Sequence, residues 1–320
     1  MADAILDQVN VTNLFDLTGV VAVVTGGGSG IGLMISSTLM SNGATVYIIG
    51  FNQAELDKVA KTYNDAAERT GRKGRIYGIE GDISKKSEAI RLAEELQKRT
   101  PYITVLFNNA GVFNGEYVRP KEATVEAFQK AYFENLKEGD FEIAMHTNAV
   151  GPYWTTFAFL PLLNKWKENG YRATPNGRKF APQIIMTSSM NGWTKDPATS
   201  GFTFPYMYSK SAVGHATATL AHELIPLGIR VNGIAPGLFP TEMNAKGTAD
   251  ELGQSRFTHH TFDFAVPSTQ PPPEDGSQPL GAGSRTDVGA LALCLVTNWF
   301  INGETVLIDG GTLLKHPSSW

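Results

Sequence analysis

The chain has 320 residues, 42% of them hydrophobic and 18% charged, enough to bury a full core as one large α/β domain or as two. A formal net charge of −4 lacks the basic footprint that holds nucleic acid or an anionic membrane, so neither is an expected partner. Cys294 is the only cysteine, which excludes a disulfide framework and suits a reducing compartment. With no signal peptide, membrane-length apolar run or lipidation signal in view, a cytoplasmic location is expected.

Residues 1–18 read as a lead-in packed on the domain edge. Val20–Val24 is apolar on both faces and reads as a buried parallel strand. A glycine cluster follows Thr25, and a helix runs from about Ile31 to Ser41, with Gly43 as its left-handed stop. Thr45–Ile49 is the second strand, and Asn52 caps a polar helix reaching about Thr70. Arg75–Ile79 is a third, shorter strand ending in Gly81-Asp82-Ile83, and Ser84 is the expected cap of a helix to about Arg99. Thr104–Phe107 is the fourth strand, closed by Asn108-Asn109-Ala110-Gly111. An amphipathic piece spans Thr124–Leu136, a long helix about Phe141–Leu163, and a hydrophilic turn Lys165–Lys179. Gln183–Thr187 is the fifth strand, Tyr206–Leu224 a helix and Arg230–Ala235 the sixth strand. Residues 241–284, with Pro271-Pro272-Pro273, read as an irregular lid. A helix over about 286–296, the strand Thr305–Ile308 and a tail over 313–320 complete the chain. Strands alternating with helices, and no composition break, point to a single α/β domain over 1–320: a doubly wound parallel sheet covered by helices on both faces.

Two constellations carry chemistry. In Val20–Met34 a strand, a glycine turn and a helix follow one another, the context a phosphate-binding turn requires. Gly26, Gly30 and Gly32 are its informative glycines, serving the tight turn, the approach of backbone to a pyrophosphate and the packing of helix on strand. The unpaired N–H groups at the helix start suit anionic phosphates. A glycine turn with no ligand is the bland alternative. Further on, Tyr206 and Lys210 stand four apart and share a helix face, while Ser189 follows the fifth strand at its carboxyl end, where open α/β sheets bind ligands. A lone YxxxK is more simply a surface helix pair. Together with Ser189 and a nicotinamide, the three make a carbonyl-reduction site. The phenol has a free pKa of about 10; the ammonium together with the positive nicotinamide of the oxidised cofactor lowers it, so that it exchanges the proton it gives to the ketone oxygen, and the serine polarises that oxygen.

With these residues in view, the sequence resembles the short-chain dehydrogenase/reductase family. The matches run in order: TGGGSGIG at Thr25–Gly32, GDI at Gly81–Ile83, NNAG at Asn108–Gly111, HTNAVGP at His146–Pro152, MTSS at Met186–Ser189, YMYSK at Tyr206–Lys210, IRVNGIAPGLFPTEM at Ile229–Met243 and INGETVLIDGG at Ile301–Gly311. The resemblance covers about Leu17 to Thr312. It implies a single Rossmann-type sheet of seven strands in the order 3-2-1-4-5-6-7 and a catalytic tetrad of Asn148, Ser189, Tyr206 and Lys210. In that tetrad Asn148 kinks its helix and holds a water in a proton relay to Lys210. It also implies that Gly26, Gly28, Ser29, Gly30, Ile31 and Gly32 hold the cofactor phosphates and that Asp82 and Ile83 bracket the adenine. Asn109, Ala110 and Gly111 would line the ribose, with Pro236, Gly237, Leu238, Thr241 and Met243 at the nicotinamide beside Tyr206 and Lys210. Members commonly pair through the long helices, here Phe141–Leu163 and Tyr206–Leu224, so a homodimer or homotetramer is implied, and the tail with Trp320 is a candidate to reach a neighbour.

Cofactor choice is made at the end of the second strand. Gly50 stands where an NAD enzyme places its carboxylate and Phe51 where an NADP enzyme often has arginine, leaving Asn52 and Ser29 as donors. The missing carboxylate favours NADP(H) over NAD(H). Four stretches exceed the family core: about 112–140, 164–182, 190–205 and 244–284. The second precedes a strand and lies at the amino end of the sheet, whereas the other three rim the cleft. Their rings (Phe113, Tyr117, Trp193, Phe202, Phe204, Phe239, Phe257, Phe262 and Phe264) suggest a broad apolar pocket for a bulky carbonyl compound, unless they serve only to pack the loops. A 3-oxoacyl-carrier substrate, non-redox chemistry such as dehydration or cyclisation, and a cofactor-binding regulatory role stay open. His146, His215 and His222 are expected to pack or cap within helices. His259-His260 lies in the lid, Asp309 reads as structural, and no cluster has metal spacing.

Overall fold

A computed structural model describes residues 2–168, 180–257 and 281–320. In chain order the elements are α1 (Ala2–Val9), α2 (Val11–Leu14), β1 (Val21–Thr25), α3 (Gly30–Ser41), β2 (Thr45–Gly50), α4 (Gln53–Arg69), β3 (Arg75–Glu80), α5 (Lys86–Arg99), β4 (Val105–Asn108), α6 (Val125–Gln129), α7 (Glu138–Met145), α8 (Gly151–Glu168), β5 (Gln183–Thr187), α9 (Phe204–Glu223), β6 (Arg230–Pro236), α10 (Arg285–Thr297), β7 (Thr305–Ile308) and α11 (Thr312–Lys315). The seven strands form one sheet in the order β3-β2-β1-β4-β5-β6-β7, parallel at every pairing.

The strand sequences explain this sheet. Central β1, β4, β5 and β6 are buried along their whole length, while edge strands β3 and β7 are only partly so. Alternate residues of β1 serve opposite layers, as the two-residue period demands. Ala22 and Val24 join the layer built with α3, α4 and α10 (Ile35, Leu39, Leu56, Leu295), and Val21 and Val23 join that of α5, α8 and α9 (Leu92, Phe159, Leu162, Val213). Each such fully buried aliphatic or aromatic side chain contributes about 1.5–3 kcal/mol. The strand order reverses beside β1, which places the turns after β1 and β4 at the switch point where such sheets receive ligands.

Local chemistry sets the helix ends. Asn52 Oδ1 accepts from the N–H groups of Ala54 and Glu55 and so starts α4. Ser84 does not cap α5 as its sequence position suggests. Asp82 Oδ1 instead takes both the backbone N–H and the hydroxyl of Ser84 in a local turn, and the helix starts two residues on, after Lys85. Arg230, buried at the start of β6, donates to the carbonyls of Leu295, Asn298 and Ile301, so a cation closes the C-terminal end of α10, where the helix dipole favours it. Asp309 is a backbone anchor, accepting from Gly311 N and Leu313 N.

Several expectations change. The long helix read over Phe141–Leu163 is three pieces: α7, a π turn at His146–Val150, and α8. The lead-in is not packed along its length, since α1 and α2 bury no residue and Leu17 is the first core side chain. Leu14 and Phe15 do meet the end of α10 around a cavity of about 430 Å³ shared with Cys294, Trp299 and Phe300. His146, His215 and His222 are exposed rather than packed. The turn at 169–179 and the lid residues 258–280, including His259, His260, Phe262, Phe264 and the proline run, lie outside the described residues. No described helix is long and apolar enough to cross a membrane, and the described residues contain no group of acids, histidines and cysteine that would hold a metal.

Candidate active site

The glycine turn is shaped by close approach. A Cβ on Gly32 would lie 2.0 Å from Gly26 O, and one on Gly26, whose φ is 65°, 2.9 Å from Ala110 Cα. Both positions therefore exclude any side chain. Ser29 stands at the N-cap of α3 in extended backbone and makes no side-chain cap bond, so the first N–H groups of this 12-residue helix are left for an outside acceptor. The turn fits a pyrophosphate.

Two loops link this turn to the tyrosine. Thr25 Oγ1 accepts from the N–H groups of Asn109 and Ala110, and Asn109 Nδ2 donates to Thr25 O. Two residues on, a Cβ on Gly111 would sit 3.0 Å from Asn148 Oδ1 and 3.3 Å from Lys210 Nζ. On the other side, Ser189 Oγ lies 3.3 Å from Pro236 O, and the segment after Pro236 returns to the turn, with Thr241 Cγ2 3.0 Å from the Cβ position of Gly30. Gly237 N donates to Ile308 O and Leu238 is buried against Ala282. Met243 is half-buried.

Of the four residues expected as a tetrad, Tyr206 and Lys210 share a face of α9, and Lys210 Nζ lies 5.7 Å from the Tyr206 ring centre and donates to Thr187 O at 2.9 Å. Ser189 is the side chain that partly offsets the effect of burial on the Tyr206 phenol. Its neighbour Ser188 turns away and donates to Lys210 O, so Ser189 is the serine that faces the tyrosine. Asn148 sits in the π turn, where its side chain bonds Val112 N and O and Ser209 Oγ. The wide turn points this side chain across to the loop after β4.

The expected lowering of the tyrosine pKa is not what the protein alone produces. Burial pushes Tyr206 up to about 12, offset only in part by Ser189, and burial pushes Lys210 down to about 8. Desolvation is the dominant cause for both groups, and the phenol keeps its proton.

At the end of β2, Gly50 packs near Leu56, Phe51 is exposed, and Asn52 has its oxygen committed to the α4 cap, leaving only its amide N–H groups as donors. The Asp82 carboxylate is taken by Ser84 and Lys85. Burial alone would raise its pKa, but these bonds together hold it below the usual range. Ile83 is buried against Gly151. Most loop rings pack the loops down: Tyr117 lies among Tyr132, Phe202 and Phe204, Phe239 is buried in the core, and Phe257 rests on Leu238 and Ala282. Phe113 is half-buried, with its ring 5.1 Å from that of Tyr206. Thr203 escaped the sequence reading: it caps α9 by accepting from Tyr206 N and is itself tied to Asn114 O. Its position two residues before Pro205 is an N-cap signature that could have revealed it.

A sequence profile of the short chain dehydrogenase family matches residues 20–252. The chain is a member of that family. Short-chain dehydrogenase/reductase PhomF of Diaporthe leptostromiformis is 33% identical over 327 aligned positions, covering 100% of both chains. A 3-oxoacyl-[acyl-carrier-protein] reductase of rhamnolipid biosynthesis from Pseudomonas aeruginosa is 29% identical, with 93% of this chain and 97% of the relative covered. Among solved structures, the RhlG/NADP active-site complex of Pseudomonas aeruginosa superposes with a TM-score of 0.67 at 25% identity, covering 93% of this chain and 98% of that one. As a short-chain dehydrogenase, the chain is an oxidoreductase of a family that uses NAD(P).

Proposed function

We propose that the protein is an NADP(H)-preferring ketoreductase in which Asn148, Ser189, Tyr206 and Lys210 form the catalytic tetrad, acting on a bulky apolar or aromatic carbonyl compound. The observation that carries this reading is the pair of loops, Asn109–Gly111 and Pro236–Thr241, that each run from the glycine turn to the tetrad. They outline a path with a phosphate cradle at one end and a protonated phenol at the other. When bound, the reduced nicotinamide supplies the hydride. Tyr206 Oη gives its proton to the carbonyl oxygen as that oxygen gains charge, and Ser189 Oγ hydrogen-bonds the same oxygen. Lys210 Nζ, held on Thr187 O, keeps a cation beside the phenol, and Asn148 fixes the π turn behind it. Thr187 Oγ1, buried with no partner beside this site, is a spare polar atom at the nicotinamide end.

NADP(H) is favoured because no carboxylate at Gly50, Phe51 or Asn52 repels a 2′-phosphate, and the RhlG structure was solved with NADP. Phe113 is the ring placed to meet an apolar substrate. The Pseudomonas relative named for 3-oxoacyl carriers supports that substrate class as the second reading. Pairing into a homodimer or homotetramer through α8 and α9 belongs to the same proposal.

The test is turnover of three probes, each with NADPH and NADH: the bicyclic ketone 1-decalone, the small polar ketone dihydroxyacetone and the thioester acetoacetyl-CoA. The expected order puts 1-decalone first, with kcat/KM higher for NADPH. Faster turnover of acetoacetyl-CoA would favour the second reading, and an NADPH/NADH ratio below one would overturn the cofactor assignment. Tyr206→Phe should keep NADPH binding and lose roughly 10²–10⁴ in kcat, the worth of a positioned proton donor. Unchanged turnover would refute its role.

A further inference from the structure

The segment between Ser189 and Tyr206 is tightly built. It forms two 3₁₀ turns, Met190–Gly192 and Pro197–Ser200, and then passes through Gly201 and Phe202 in left-handed backbone. Phe202 (φ 62°) is the one non-glycine residue with positive φ among the described residues. Such a conformation persists only where the surroundings hold it. Inside the segment a chain of hydrogen bonds starts at the catalytic serine. Ser189 Oγ accepts from Asn191 N (3.2 Å), Asn191 Oδ1 from Thr199 Oγ1 (2.9 Å) and Thr194 Oγ1 from Asp196 N (3.1 Å), with Thr199 Oγ1 3.2 Å from Thr194 Oγ1. Asn191, Thr194 and Thr199 are all buried.

The chain's own C-terminus closes this network. His316 Nδ1 meets Asp196 Oδ2 at 2.8 Å, and Lys195 N donates to Pro317 O at 2.7 Å. Thr194 and Ser318 form an antiparallel bridge, and Ser319 N donates to Trp193 O at 2.9 Å. The Trp320 ring packs edge-on against Trp193 at 4.4 Å. Trp193 is pressed in turn on α9, where a Cβ on Gly214 would lie 2.7 Å from its ring. Gly214 is one turn beyond Lys210 and two beyond Tyr206, on the same helix face.

We propose that His316–Trp320 is a strap that positions Ser189 and Tyr206 for the carbonyl substrate, with His316 and Trp320 as its positioning residues. This rests on the carbonyl-reduction reading above. The strap contacts named here fall on Trp193–Asp196, in the segment that carries Ser189, and not on the phosphate turn. Loss of the strap therefore weakens use of the substrate and leaves the cofactor's affinity alone.

The experiment compares the full chain with Trp320→Ala, His316→Ala, His316→Gln and a chain ending at Lys315. Readouts are amide hydrogen exchange, NADPH affinity and kinetics on 1-decalone. Losing the Trp193–Trp320 contact should speed exchange at Gly192–Lys195 by roughly 2- to 12-fold, the worth of an aromatic pair. NADPH affinity stays unchanged, KM for 1-decalone rises and kcat falls. His316→Gln, which keeps a donor toward Asp196, recovers most of what His316→Ala loses. Unchanged exchange in the shortened chain overturns the strap. So does faster exchange with unaltered kinetics, or a loss of NADPH affinity as large as the loss of turnover. If the full chain does not reduce 1-decalone, the substrate reading fails, and the strap is then judged on exchange at Asn191 and Tyr206, whose amides bond Ser189 Oγ and Thr203 Oγ1.

Discussion

The two titratable members of the proposed tetrad are driven in opposite directions by one cause. Burial favours the neutral form of each, so the Tyr206 phenol is pushed up to about 12 and the Lys210 ammonium down to about 8. The sign of the pH dependence follows. Between pH 6 and pH 10 the phenol keeps its proton throughout, and only the lysine changes charge. Because its pKa is lowered, the ammonium is lost as pH rises through about 8 rather than near 10.5. Reduction that needs the cation beside the phenol should therefore be level below pH 8 and fall about tenfold per pH unit above it. The check is kcat/KM for reduction measured from pH 6 to pH 10 at saturating NADPH. A plateau reaching pH 9.5 would show that the ammonium is not the titrating group.

At the scale of elements, the glycine turn is the least forgiving part of the site. Gly32→Ala sets a methyl 2.0 Å from Gly26 O, a backbone atom with no freedom to yield, and the helix start must move off the strand. NADPH binding should fall at least tenfold while the far-UV spectrum stays close to the parent. Titration of cofactor fluorescence reads this directly, and unchanged affinity would remove the turn from the cofactor site. This element was legible in the sequence because apolar strand, glycines and apolar helix are all local signals. So were the buried strands, whose residues are apolar on both faces, and the Asn52 cap. Features that depend on competition or distance were not. Ser84 looked like a cap until Asp82 claimed its hydroxyl and amide. The π turn at Asn148 inserts one residue into a helix; the family resemblance implies a kink there, but hydrophobic periodicity does not register the insertion. His316 and Asp196 stand 120 residues apart, and nothing near either foretells the other. Ring-rich loops gave no sign that Tyr117 and Phe239 are packed down while Phe113 adjoins the phenol.

For the whole molecule, the layer opposite α3 and α10 leaves large apolar side chains in water. Ile143 on α7, Tyr153 and Phe157 on α8 and Tyr208 on α9 are 53%, 48%, 39% and 57% exposed. The Phe141 and Tyr208 rings, 6.1 Å apart, join α7 to α9, and the Tyr153 ring lies tilted against that of Phe157 at 4.7 Å. Single exposed apolar residues are ordinary, but a set of aromatics on adjoining helices is the composition of an interface core. The face also lies on the helices that carry Tyr206 and Lys210 and that follow Asn148, so a partner covering it would stiffen the backs of the elements that hold the proposed tetrad. The proposed pairing makes a definite prediction. Sedimentation equilibrium should return a multiple of the 34.6 kDa chain mass. Tyr153→Glu with Phe157→Glu buries two charges at the centre of the contact, at a cost of several kcal/mol each, and should shift the population to monomer by at least a hundredfold in dissociation constant. Because neither residue belongs to the tetrad, reduction by the resulting monomer separates the two roles of these helices. A fall in kcat that recovers at high protein concentration would tie pairing to catalysis. A native chain that sediments as a monomer at micromolar concentration would leave the aromatic face without its partner and end the pairing proposal.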